Sequence, residues 1–218
     1  MRITRITPVD LGADTDEDDG ARTEAWNSST GTGKVFALAV CNRGSDVASV
    51  TYNRASQNLT SSVGAAQSTV TCPGGVAEET VGGGSGTAPN AFDSLTTMFP
   101  SPSEWSYGLR GNNPSSRTLT GVIACLPIAS RDVTIRTRMI QLDPGEAGTI
   151  RVNCPRGTRV TGGGGSPGDG FAILRSRPFD LGRDRDRAPD DGWFTRHRNL
   201  VSTPQVVRGN AICVGPVL

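Results

Sequence analysis

The segment Ile150-Arg151-Val152-Asn153-Cys154-Pro155-Arg156-Gly157 decides the fold, because the chain carries it twice. Its other reading is Ser68-Thr69-Val70-Thr71-Cys72-Pro73-Gly74-Gly75. Working outward, Val160 and Gly162–Gly165 answer Val81 and Gly82–Gly84. Gly192-Trp193 answers Glu104-Trp105, and Asn199 answers Asn112. The closing run Val207 to Cys213 answers Leu119 to Cys125, at the same offset as the two tryptophans. On the other side, Val133-Thr134-Ile135 answers Val50-Thr51-Tyr52, and Gln141-Leu142 answers the Gln57 to Leu59 stretch. A fixed period of about 83 residues marks a repeated structural unit. The second repeat spans residues 48–130 and the third 131–218.

Residues 1–47 read as the second half of a first repeat. Ile3 to Gly12 matches Ile173 to Gly182, Asn27 matches Asn199, and Cys41 matches Cys213. The expectation is that this copy's first strands are truncated away or supplied by another chain, which leaves Cys41 without its partner. A free, exposed Cys41 is the alternative.

Local pattern favours strands. Ile150, Val152 and Cys154 alternate with Thr149, Arg151 and Asn153, as Ser68, Val70 and Cys72 alternate with Thr69 and Thr71; period-2 alternation puts one set on a buried face. Proline after each cysteine ends the ladder, since it has no N–H to donate. The glycine runs that follow are expected to make a tight turn or bulge at positive φ. Trp105 and Trp193 are expected to cover the core beside the cysteines. The sequence therefore predicts an all-β chain of tandem antiparallel β-sandwich-like repeats, two full copies plus a half copy. Abundant glycine (28 residues) fits a turn-rich β protein.

In the closing strands, Arg208, Asn210 and Ile212 of the last copy stand where the first has Phe36, Leu38 and Val40. The first copy's strand is apolar on both faces, so it reads as covered on both sides. Phe36, Leu38 and Val40 are thus the candidate interface, for self-association or a protein partner. Leu38→Asp should disrupt the protein while Asn210→Asp is mild.

Charge is balanced, with 22 basic and 21 acidic residues, so the chain shows no electrostatic footprint for nucleic acid, and nothing in the sequence clusters its arginines. Lys34 is its only lysine. No run approaches the roughly 18 apolar residues of a membrane helix. The cysteines bracket the repeats: Cys72 with Cys125, and Cys154 with Cys213. Such pairs staple small β-units in oxidising compartments; buried free thiols are the alternative.

Three motifs carry candidate chemistry. Gly164-Gly165-Ser166-Pro167-Gly168 fits the hydrolase GxSxG pattern, but the elbow needs a following helix and a histidine partner. His197 has no counterpart in the other copies, so no catalytic residue is assigned. Ser28 to Lys34 lacks the first glycine of a phosphate loop and reads as a hairpin loop. Asp14, Asp16, Asp18 and Asp19 form an oxygen-rich loop that could ligate calcium. Asp184, Asp186, Asp190 and Asp191 repeat it with arginines interleaved. The spacing departs from a DxDxDG loop, so a solvated turn is the preferred reading and no other cofactor is implied.

The string CPxG…VxGGG…GW…N…VxAxC resembles the cysteine-bracketed repeat modules of secreted and surface proteins from high-GC bacteria. The resemblance covers nearly the whole chain, departing at Ala21, where the first copy lacks the tryptophan. It implies a β fold and a secreted or cell-surface location, and no activity. The expected function is a non-enzymatic extracellular binding or assembly module without nucleic-acid or membrane-inserting partners. A cell-surface ligand would sit on its loops. The alternatives are a structural subunit of a larger particle (virion, fibre, toxin or adhesin complex) and, last, a hydrolase.

Overall fold

A computed structural model describes residues 2–9, 20–26, 50–59, 62–87, 94–113, 116–128, 132–166, 170–181 and 190–215. The chain is all-β. Two strands open it, β1 (Arg2–Val9) and β2 (Gly20–Trp26). Six follow: β3 (Thr51–Leu59), β4 (Ser62–Thr71), β5 (Glu78–Gly86), β6 (Ser94–Ser101), β7 (Glu104–Asn113) and β8 (Arg117–Pro127). A further six close it: β9 (Asp132–Leu142), β10 (Ala147–Asn153), β11 (Arg159–Ser166), β12 (Phe171–Phe179), β13 (Gly192–Asn199) and β14 (Gln205–Gly215).

The two six-strand runs pair alike. In each, the last strand lies between the first and third, and the fifth lies between the second and fourth, all antiparallel. Bulges recur at matching places: Thr80/Gly82 in β5 and Val160/Gly162 in β11, and Ile3/Arg5, Leu95/Thr97 and Ile173/Arg175 in β1, β6 and β12. In the last run the two half-sheets face each other over Leu142, Ile150, Val152, Phe171, Val207 and Ala211.

The sheets nevertheless cross from one run into the next. The sheet orders are β2-β1-β5-β8-β3, β4-β7-β6-β11-β14-β9 and β10-β13-β12. The fourth strand of one run is hydrogen-bonded to the third strand of the next: Ile6 opposite Ser85, and Met98 opposite Gly165. The three fourth strands, β1, β6 and β12, also pack on one another, with Ile3, Leu95 and Ile173 in one buried cluster.

The glycine runs bear out one half of an expectation and correct the other: each opens on a bulge, at Gly82 and Gly162, but without positive φ. They are strand rather than turn: Gly82–Gly84 lie inside β5 and Gly162–Gly165 inside β11. Among the described residues the positive-φ glycines are Gly75, Gly145 and Gly157, so the turn sits in the CPxG motif itself, where Gly75 N–H donates to Cys72 O at 3.0 Å. The runs are glycine because of close approach. A Cβ on Gly83 would stand 2.6 Å from the Trp105 ring, and one on Gly163 would stand 2.4 Å from Trp193. On Gly84 it would meet Ile6 O at 2.2 Å, and on Gly164 it would meet Met98 O at 2.0 Å. Thr51-Tyr52 and the Gln57 to Leu59 stretch share one long strand, β3, as Val133 to Ile135 and Gln141-Leu142 share β9.

Candidate functional site

Two disulfides form, Cys72–Cys125 and Cys154–Cys213, with Cα separations of 5.8 and 5.5 Å. Each closes a loop of 53 or 59 residues, for which the loss of unfolded-state entropy contributes about 4 kcal/mol. Trp105 is fully buried in the cluster holding Cys72 and Cys125, and Trp193 packs on the one holding Cys154 and Cys213. Among the described residues one group has metal-ligating spacing, Cys72, Cys125 and Glu78. Its two sulfurs are bonded to each other, and Glu78 is engaged by Gly74 N–H at 2.7 Å and the Thr51 hydroxyl at 3.0 Å.

Asp14, Asp16, Asp18, Asp19, Phe36, Leu38, Val40 and Cys41, with the Ser28–Lys34 motif, lie outside the described residues, as do Asp184 and Asp186. Of the second acidic loop, Asp190 is ion-paired with Arg159 at 3.3 Å. The Asp191 carboxylate accepts from Leu181 N–H at 2.6 Å. Both serve the turn into β13.

His197 lies in β13 on the inner face. It is wholly buried, and neither ring nitrogen has a hydrogen-bond partner. Desolvation lowers its pKa to about 4, so the ring is neutral. It stacks on Gly165, where a Cβ would meet it at 2.3 Å. Ser166 ends β11. Asn210 corrects another expectation: it is completely buried, with its carbonyl accepting from the Thr137 hydroxyl at 2.8 Å and its Nδ2 unpaired. Alternation places Asn210 on the same face as Val206 and Arg208, which are exposed, but from Asn210 to Ile212 that face of β14 is covered as well.

A cleft of about 350 Å³ opens at the seam between the runs, lined by Glu79, Phe99, Pro100, Ser101, Pro102, Val133 and Ile135. Burial and then the nearby Asp132 charge raise the Glu79 pKa above its ordinary value.

The strongest asymmetry lies at the sheet edges. β1 and β6 each carry a glycine strand along their outer edge. β12 has the same bulge and the same buried isoleucine position, yet among the described residues it pairs only with β13. At the positions equivalent to Arg5 and Ile6 it offers Arg175, exposed, and Ser176, half-buried. The repeat pattern did not signal this edge, because it emerges only when two sheets are seen to be shared and the third is not. No family model matches the chain, and no curated protein matches it.

Proposed function

We propose that this chain is a non-enzymatic, disulfide-stapled β-repeat module of a secreted or surface protein that assembles by pairing sheet edges. The observation that carries the reading is the seam geometry. Each fourth strand presents a carbonyl, Ile6 O or Met98 O, that only a glycine strand approaches closely enough to pair. Edge pairing supplies main-chain hydrogen bonds, and the required glycine supplies selectivity. The two disulfides fit an oxidising compartment. Among the described residues no helix is long and apolar enough to cross a membrane. The resemblance to cysteine-bracketed surface modules points the same way.

The acceptor is the β12 edge. Arg175 stands where Arg5 does, and Arg5 faces Gly86, whose Cβ would lie 2.4 Å from that of Arg5. The favoured partner strand is therefore of the Val-Gly-Gly-Gly-Ser-Gly type of residues 81–86. The Gly-Gly-Gly-Gly-Ser type, with Ser166 at the last position, fits less well. A synthetic peptide of residues 78–87 should bind the chain, and the same peptide carrying Gly84→Val should not. Equal binding by both peptides, or by neither, would overturn edge pairing. A particle subunit is the second reading, favoured by the same open edge; a solution mass of several chains would support it over a lone module.

A further inference from the structure

We infer that the outer face of the β10-β13-β12 sheet is a binding surface for a linear acidic polysaccharide bearing sulfate or carboxylate groups. The register puts five arginines on that face. Arg151 and Arg177 lie directly opposite Phe194 from either side, and Arg175 lies opposite Arg196, with Arg198 next along the central strand. Arg151, Arg175 and Arg177 hold their guanidinium carbons 6.0, 6.0 and 5.4 Å from the centre of the Phe194 ring. The ring is only 8% exposed and forms the floor beneath them. Among the described residues none of the five is ion-paired, although Arg5, Arg22 and Arg159 elsewhere are.

A net charge of +1 for the whole chain therefore conceals a local concentration of five positive charges. From strand spacing and rise, the patch measures roughly 10 by 14 Å. Like charges gathered over one ring repel, and the cation–π contact offsets only part of that at a solvated site. An anion bridging them relieves the repulsion, and guanidinium forks match carboxylate and sulfate geometry bidentately. Corresponding faces elsewhere lack this arrangement. In the middle run, Thr69, Thr97, Phe99 and Gly108 stand where Arg151, Arg175, Arg177 and Arg196 do, Ser106 stands where Phe194 does, and Arg110 alone matches, at Arg198. In the first copy, Arg5 and Arg22 share Glu24. The concentration is thus particular to the last run rather than a by-product of the fold.

The ligand's class follows from shape. The face is a sheet, with no element to enter a nucleic-acid groove. Among the described residues its aromatics are Phe194 and Phe179, both buried, so no platform is left for stacking bases. That leaves a flexible chain with anions repeated along it, in keeping with an oxidising compartment. The arginine face does not rest on the edge-pairing reading: Arg175 and Arg177 belong to the edge strand, but the surface they share with Arg151, Arg196 and Arg198 is the sheet's face and needs no strand added at β12.

The test measures affinity for size-defined heparin and polyguluronate, with duplex DNA and oligo(dT) alongside at the same salt. The chain should bind at least one polysaccharide, more weakly as salt rises. Arg175→Ser/Arg177→Ser/Arg196→Ser should weaken binding about thirtyfold, from the loss of three charge-assisted contacts. Arg54→Ser/Arg156→Ser/Arg208→Ser, with the same change in net charge, should weaken it less than about threefold. Among the described residues Arg54 is the one of the six with a further polar partner, and melting curves verify each variant. Preference for heparin would assign sulfate, and preference for polyguluronate carboxylate. Equal loss in both variants, no polysaccharide binding, or tighter binding to either nucleic acid would overturn the inference.

Discussion

The half-sheets β4-β7-β6 and β10-β13-β12 follow the same course and share the same bulge, yet among the described residues one is continued at its edge and the other is not. β6 is continued by β11, whose Gly164 lies against the Met98 carbonyl. β12 has no such neighbour among the described residues. Their outer faces differ as well: among the described residues the first carries one glutamate and one arginine, Glu104 and Arg110, and the second gathers five arginines. The lesson is that a repeat conserves backbone pairing while its neighbours decide which edge and face remain for a partner.

The largest effect should come from breaking the continued member. Gly164→Val places a side chain against the backbone of Met98, which cannot swing aside as a flexible side chain would. A loss of about 4 kcal/mol or more is expected by urea denaturation, at the upper end for single substitutions. A mild effect would mean that the β6–β11 seam does not hold the sheet together.

A second break uses His197, which occupies the place of buried Leu109 in the middle run. Its folded pKa of about 4 lies below the ordinary value of 6.5, so the unfolded chain takes the proton first. Its contribution is intact above pH 6.5 and is lost as pH falls toward 4. The loss is about 1.4 kcal/mol per unit, or about 3 kcal/mol in all. Denaturation midpoints of the wild type and His197→Leu across this range should diverge accordingly; parallel curves would refute the burial of a neutral ring.

Asn210 sharpens the comparison further, since the middle run has Val122 there, also buried. Asn210→Asp should cost about 3 kcal/mol by burying a carboxylate with one hydrogen-bond donor. Asn210→Val should be neutral or stabilising by about 1 kcal/mol, because it removes the unpaired Nδ2. Both are read from thermal melts.

The smallest effect belongs to the arginine face: Arg177→Ser should shift stability by less than about 0.5 kcal/mol. At low salt the sign should be stabilising, as repulsion around Phe194 is relieved.

Much of this was legible in the residues. Strand alternation around Cys72 and Cys154, the bracketing cysteines and the repeated motifs are local or periodic signals, and the sheets and disulfides follow them. The glycine runs misled because glycine marks close approach as readily as a turn. Only the tryptophan ring and the neighbouring carbonyl distinguish the two. Asn210 misled because alternation says which side a residue faces and not whether that side is covered. The arginine face was illegible for a further reason: Arg151, Arg175, Arg177, Arg196 and Arg198 come from three strands, and only register brings them together.

The contrast between the two fourth strands is tested most directly by residue-resolved hydrogen exchange on the chain alone. Amides of β6 should be protected along both edges of the strand. In β12 protection should alternate, with the amides bonded to β13 slow and those between them exchanging at nearly unprotected rates. Uniform protection along Leu174 to Arg177, equal to that of β6, would contradict an open acceptor edge.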